Sequence, residues 1–462
     1  MEKLIAGVDS STQSVKIVVR KAHSGELVAE AKAPHPDGTE VDPIAWWQAL
    51  QQVINAVGGL EKISAISIAG QQHGMVALNS QGEVIRPALL WNDTRSADAA
   101  VEINTEVVNI SERVGSALVA SFTASKIRWM AKNERDNSSK VAAICLPHDY
   151  LSWKLSESTN LNDLVTDRSD ASGTGYFDGV KNVYDKEILK LAHLSEREII
   201  LPRVLAPNEY ALRAPNGTLI GPGAGDNAAA ALGVGAELGD VIVSLGTSGT
   251  AFSVSKTPTF DPTGEVAGFC DATGNFLPLV CTLNASRILD SANQILQTDY
   301  QELGELALAA QPGSQGLVLL PYFEGERTPN RPSATGVLSG MTLNNTNRTN
   351  IARAMIEGML CGMADALDSL VRNGVSINRV LLIGGAAKSE AVARIASQVF
   401  CREVLVPEPG EYVANGAAKQ AAWIATEEFP KWELGEIKKF NETPSPQVLE
   451  KYRTLRNQTE NW

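Results

Sequence analysis

Two stretches of the 462-residue chain repeat one pattern: a β-branched apolar run, a polar turn, and a second apolar run. In LIAGVDSSTQSVKIVVR (residues 4–20), the runs LIAGV and VKIVVR flank Ser10-Ser11-Thr12-Gln13-Ser14, and SGE at 24–26 turns the chain into LVAEAK. Short apolar runs bounded by turn residues predict a three-stranded β-meander. DVIVSLGTSGTAFSVS (240–255) reads again as strand, tight turn, strand. Laid over the first without gaps, Thr12 falls on Thr247, Ser11 on Gly246, Ser14 on Gly249 and Asp9 on Ser244. Two such hairpins far apart in one chain predict an internal duplication of lobes.

Other periodicities fill in the lobes. RVLLIGGAAKSEAVARIASQVF (379–400) predicts a buried strand, a turn at Gly384-Gly385 and an amphipathic helix. EYVANGAAKQAAW (411–423) predicts an alanine-rich helix whose Gly416-Ala417-Ala418 surface lets another helix approach. DPIAWWQALQQVI predicts an amphipathic helix with Trp46 and Trp47 in the core, and IGPGAGDNAAAALGVG (220–235) a glycine-rich loop running into a helix at Asp226. The tail NETPSPQVLEKYRTLRNQ reads as a Pro-bounded linker and a last helix with no assigned docking surface.

Composition narrows the class. With 44% hydrophobic and 20% charged residues, the chain has the balance of a soluble globular protein of two to four domains. Its net charge of −13 disfavours nucleic acid and anionic membranes as partners, though not a nucleotide held by local N–H groups and a cation. Charges at Glu2, Lys3 and Asp9 leave no room for a signal-peptide core, and Glu237 and Asp240 interrupt the apolar stretch Ala228 to Leu245. The five cysteines are scattered and never form a CxxC pair, which suggests reduced cytoplasmic thiols and no zinc site.

The turns carry the candidate chemistry. Neither hairpin has the GxxxxGK[ST] of a Walker loop or the GxGxxG of a Rossmann loop opening a helix. An isolated hairpin of this kind reads as a plain polar turn; two copies can offer backbone N–H groups and hydroxyls to an anion. Gly384-Gly385 either lets a flat base or ribose approach the backbone or makes a plain strand–helix turn. Asp226 reads as a helix N-cap. The three glycines before it (Gly221, Gly223, Gly225) exceed what a cap needs and suggest close approach of a ligand. A helix N-terminus would keep the carboxylate ionised. Phosphoryl transfer passes through a loose transition state, so such a base needs no elevated pKa.

Together the two hairpins, GPGAGDNAA, LLIGGAAKS and GAAKQAA resemble the FGGY carbohydrate kinases, and SFTASKIRWMAKN (121–133) fits a signature of that family. GQQHG (70–74), LLWNDTR (89–95), TDRSDASGTGYFD (166–178) and YFEGERTPN (322–330) are most similar to members acting on the ketopentose xylulose. The resemblance implies an α/β, two-lobed actin-like ATPase (ribonuclease H-like) fold with the active site in the interdomain cleft. Residues 1–238 would form the first lobe and 239–462 the second. It implies ATP and Mg²⁺ as cofactors, with Asp226 as base on the sugar hydroxyl and Gln72, His73 and Asn227 as sugar contacts. Asp9 would act on the metal, Thr12 would face the γ-phosphate, and Lys16 would close the first loop. Gly246, Thr247 and Ser248 would form the second phosphate loop, with Gly384, Gly385 and Ala386 against the adenosine. A homodimer is the family's habit.

Two departures stand out: Gln72 where methionine is commoner, and Ser11 and Ser14 where the first phosphate loop usually has glycines. Asp93 and Arg95 read as a loop ion pair, Glu326 and Arg327 as a surface pair, and His23, His35, His148 and His193 as residues without a role. A sibling kinase for ribulose, gluconate or glycerol is the nearest alternative. An actin-like assembly ATPase or chaperone ATPase would leave the Asp226 loop and GQQHG unexplained.

Overall fold

The computed structural model describes residues 2–433 and 435–460. In chain order the elements that frame the site are strands β1 (Leu4–Ser10), β2 (Ser14–Lys21) and β3 (Leu27–Pro34), helix α1 (Pro43–Ala56), strand β4 (Ile63–Gly70), and helices α2 (Thr123–Asn133), α3 (Pro147–Leu155) and α4 (Asp226–Gly233). They are followed by strands β5 (Asp240–Leu245), β6 (Gly249–Ser253) and β7 (Phe276–Thr282), helix α5 (Arg348–Arg372), strand β8 (Arg379–Ile383), helix α6 (Glu390–Phe400) and strand β9 (Val404–Pro407). Helix α7 (Tyr412–Thr426), strand β10 (Ile437–Phe440) and helix α8 (Pro446–Gln458) complete the chain. None of the described helices is long and apolar enough to cross a membrane.

Two compact α/β units result. The first comprises Met1–Ala236, Lys256–Leu277 and Glu411–Glu433, and the second Glu237–Ser255, Pro278–Gly410 and Leu434–Trp462. Two excursions of the chain beyond residue 238 pack with the first unit, where they bury their apolar faces. Helix α7 is the larger. Ala414, Ala418, Ala421, Ala422 and Ile424 form one core cluster with Ile5, Val18 and Ala65 of the sheet. That helix lies so close to β1 that a Cβ on Gly7 would collide with the backbone of Ala414 and Ala418. Gly416 and Gly233 likewise let α7 and α4 meet backbone to backbone, the approach expected from the small-residue surface.

The first unit carries a seven-stranded mixed sheet. Strands β1, β2 and β3 form the expected antiparallel meander, and β4 lies parallel to β1, with Asp9 beside Ala69. The opposite face packs on α1, where Trp46 is fully buried and Trp47 partly so. In the second unit the order is β7–β6–β5–β8–β9–β10, again with an antiparallel hairpin (β5–β6) and a parallel neighbour (β8). The duplication is thus one of topology. Its register differs by one residue: Ser10 pairs with Val15 in the first hairpin, Leu245 with Gly249 in the second. The gapless overlay holds through the turn and slips after it, since the first loop is one residue longer.

Helix α8 docks within the second unit. Tyr452, Val448 and Leu455 are buried, and Arg453 and Arg456 reach Asp365 of α5 at 3.0 and 2.5 Å.

Candidate functional site

In the first unit the ends of β1 and β4 place three elements side by side. Gln71 N–H donates to Ser10 O at 3.1 Å, and the short strand Ala224–Gly225 pairs with Ala69 and Gly70 of β4. The β1–β2 loop, the GQQHG segment and the start of α4 are therefore held by backbone bonds.

Asp226 is the first residue of α4, and Gly225, extended at φ −63° and ψ 148°, is the cap. The sequence-based N-cap expectation is corrected here, because the helix begins at Asp226 itself and the cap position falls on Gly225. Its Oδ1 accepts the backbone N–H of Asn227 at 2.7 Å and the Asn227 side-chain amide at 2.8 Å. Its surface is half-buried, yet protein packs densely around the carboxyl. Desolvation pushes its pKa up to about 7, and Asp170 adds to the rise while the Asn227 donors oppose it. The macrodipole loses to burial, so the expectation of an unshifted carboxylate is also corrected.

The three glycines before Asp226 are explained by protein rather than ligand. A Cβ on Gly221 would meet Ile424 and Ser67, one on Gly223 His148 and Ile68 O, and one on Gly225 Gln72 Nε2 at 2.7 Å. Gln72 thus packs against the loop that delivers Asp226, and its Oε1 lies 3.5 Å from the Asn227 amide. His73 is buried, with φ 69°. Its Nδ1 lies 2.6 Å from Gly173 O. A carbonyl only accepts, so Nδ1 carries the proton and Nε2 is an acceptor in the neutral ring. Phe122 and Phe269 flank the ring at 5.0 and 5.5 Å.

Asp9 is buried at the end of β1 opposite Lys16 of β2. Desolvation raises its pKa to about 7, Lys16 counteracts this, and Asp226 and Glu411 reinforce it. Its Oδ1 has no hydrogen-bond partner. A buried carboxylate oxygen without a donor fits a hard divalent cation or its water, which restores what burial removed. Lys16 itself is paired with Glu411 at 2.5 Å.

The β1–β2 loop departs from the expected presentation of serine donors. The N–H and Oγ of Ser11 both donate to Ser14 O, at 3.0 and 2.9 Å, so Ser11 closes the turn. Thr12 Oγ1 accepts from Trp91 Nε1 at 2.9 Å, and His35 Nδ1 reaches Ser11 O at 2.8 Å. Among the described residues, the backbone N–H groups of Thr12 and Gln13 find no protein acceptor.

In the second unit, the N–H groups of Gly246, Thr247 and Ser248 likewise find none among the described residues, which is the makings of an anion nest. Ser286 N–H donates to Gly246 O at 2.9 Å and anchors the loop. Gly249 faces inward instead: a Cβ there would lie 2.5 Å from Met363 Sδ and 2.6 Å from Thr282 Oγ1. Gly384 (φ 96°) crosses Leu245 so closely that a Cβ would sit 2.6 Å from its carbonyl oxygen. Gly385 has open space and, with Ala386, Lys388 and Ser389, lines a cavity of about 770 Å³ walled by Leu289, Tyr300 and Leu308.

Several residues went unread in the sequence. His148 is fully buried among Asp149, Asp167 and Asp170, with Nε2 3.1 Å from Asp170 Oδ2. His35 and Trp91 support the first loop, and Phe269 reaches His73 from a distant segment. Glu326 forms no surface pair: it is buried and accepts Leu283 N–H and Arg327 N–H, each at 2.7 Å, and the Asn284 amide at 3.0 Å. The Asp93–Arg95 pair forms as expected, at 2.9 Å.

Known proteins are similar to this chain in sequence and fold. The xylulose kinase of Streptomyces coelicolor is 41% identical over 442 residues, 92% of this chain and 89% of the relative. That of Escherichia coli is 32% identical over 93% of this chain and 91% of the relative. The crystal structure of xylulose kinase from Bifidobacterium adolescentis matches with a TM-score of 0.91 and 46% identity, covering 98% of this chain and 99% of that one. The gluconate kinase structure from Lactobacillus acidophilus, at 23% identity and a TM-score of 0.86, shares the fold. The models of the FGGY family of carbohydrate kinases match residues 4–233 (N-terminal domain) and 241–425 (C-terminal domain), and the chain belongs to that family.

Proposed function

We propose that this protein transfers the γ-phosphoryl group of ATP to D-xylulose, giving D-xylulose 5-phosphate. The observation that carries the reading is the grouping of Asp226, Gln72, His73 and Asn227 on adjoining backbone, in a chain so similar to xylulose kinases. Asp226 has one oxygen engaged by Asn227, which fixes the carboxylate's direction. It orients the acceptor hydroxyl and takes its proton as the bond to phosphorus forms. His73, protonated on Nδ1, accepts a second sugar hydroxyl at Nε2, and Gln72 supplies an amide beside it.

On the nucleotide side, the N–H groups of 246–248 in the second unit are available to phosphate oxygens, and so, in the first unit, are those of Thr12 and Gln13, with Lys16 available once it leaves Glu411. The cavity lined by Gly385 and Ala386 takes the adenosine, with the open space at Gly385 left for the base. Mg²⁺, held through Asp9, would neutralise charge on the β- and γ-phosphates.

The test is a panel of pentuloses, hexuloses, gluconate and glycerol offered with ATP and Mg²⁺. ADP release should require a sugar and be fastest with xylulose. Preference for ribulose, gluconate or glycerol would move the chain to a sibling activity, and ADP release independent of any sugar would contradict kinase function.

A further inference from the structure

The SFTASKIRWMAKN segment marks the family, yet nothing in the reaction described above uses its lysine. Lys126 has no exposed surface at all. Its ammonium makes no ion pair within the described residues; it donates to two backbone carbonyls, His73 O at 2.7 Å and Ser121 O at 2.6 Å. Burying an ammonium so completely is costly unless the contacts it makes are needed. One of those contacts falls on the residue with the least favourable backbone in the sugar half-site. The φ of 69° at His73 is a left-handed conformation that a bulky side chain adopts only where its surroundings over-determine it.

The surroundings hold the carbonyl and the ring. The carbonyl also accepts Thr123 Oγ1 at 3.3 Å, and the ring nitrogen is tied to Gly173 O. Thr123 opens helix α2 one turn before Lys126, so one helix supplies both donors to the carbonyl. We propose that Lys126 is a positioning residue for the sugar: by holding the His73 carbonyl it fixes the backbone from which the imidazole projects. The proposal rests on the reading of His73 as a sugar contact.

The test is a double-mutant cycle on the full chain with ATP and xylulose. Lys126→Met removes the donor while keeping an unbranched buried chain. It should raise the KM for xylulose about 10-fold or more, with the KM for ATP within about 2-fold. In the His73→Ala background the same substitution should change the sugar KM by less than about 2-fold, because the group it acts through is gone. Equal multiplicative rises in both backgrounds would overturn the positioning role and leave a general packing role in its place. If Lys126→Met does not fold, Thr123→Val removes the second donor to the same carbonyl. It should raise the sugar KM about 2- to 5-fold, again only when His73 is present; no rise would overturn the proposal. His73→Ala with an unchanged sugar KM would remove the sugar-contact reading itself, a failure distinguishable from additivity in the cycle.

Discussion

The carbonyl of Gly173 accepts the Nδ1 proton of His73, and the same glycine leaves the ring its space, since a Cβ there would lie 2.7 Å from Nδ1. One residue thus sets both the tautomer and the position of the imidazole. Gly173→Ala should push the ring out of place and raise the KM for xylulose by about 10-fold, with the KM for ATP nearly unchanged. Steady-state kinetics varying each substrate in turn checks this; parallel rises in both constants would assign Gly173 to general packing.

Asp226 and pH are linked in a definite direction. Burial raises its folded pKa to about 7, above the ordinary carboxylate value, so the protonated acid prevails below neutrality and the base above it. For the sugar, kcat/KM should rise about tenfold per pH unit from pH 5.5 to about 7 and then level. Stability runs the other way. The contribution of this group is fully present below the unfolded pKa near 4 and is lost as pH rises through about 7. Asp226→Asn cannot ionise, so its melting temperature relative to wild type should climb between pH 5 and pH 8. A flat rate profile, or a relative melting temperature that falls over that range, would contradict the assignment.

Asp9 has the same sign and a different remedy. Its pKa is also raised to about 7 by desolvation, and its Oδ1 is without a donor, so a bound cation should relieve it. Mg²⁺ with an ATP analogue should therefore raise the melting temperature of wild type more at pH 8 than at pH 6. In Asp9→Asn the metal-dependent part of that rise should be largely lost, by about 1–3 kcal/mol of binding. Thermal shift with and without Mg²⁺ reads this out.

The neighbouring glycines 384 and 385 should respond oppositely. A Cβ on Gly385 would meet no atom within 4 Å, and the residue borders the cavity, so Gly385→Leu should fold normally. It should raise the KM for ATP about 10-fold or more and leave that for xylulose alone. Gly384→Ala must fit a Cβ 2.6 Å from Leu245 O at φ 96°, and should cost about 1–3 kcal/mol of stability. A Gly385→Leu enzyme with unaltered ATP kinetics would remove the cavity from the nucleotide site.

The elements with a strong local period were legible in the sequence. The meander, the second hairpin, the 379–400 strand–turn–helix and the close helix contact at Gly416 follow from alternation, turn residues and small side chains. What was not legible is long-range packing. Nothing local to Gly223 or Gly249 says that the missing side chain makes room for His148 or Met363 rather than for a ligand. Likewise, burial raised the Asp226 pKa although its position at a helix start argues for lowering it, because desolvation is set by neighbours from distant segments. The excursions Lys256–Leu277 and Glu411–Glu433 were invisible for the same reason: apolar faces tell that a segment packs, not where.

The central claim is that Asp226 takes the proton from the sugar hydroxyl, and the most direct measurement is single-turnover phosphoryl transfer by Asp226→Asn. Ligand binding is measured in parallel by calorimetry, with wild type as the reference. An asparagine keeps the shape and the acceptor oxygen for the Asn227 donors, but it cannot take a proton. The expected result is a folded variant that binds xylulose and ATP within a few-fold of wild type and transfers phosphate roughly 10²–10⁴-fold more slowly. Transfer within about 5-fold of the wild-type rate, with both substrates bound, would contradict the claim and place the base elsewhere.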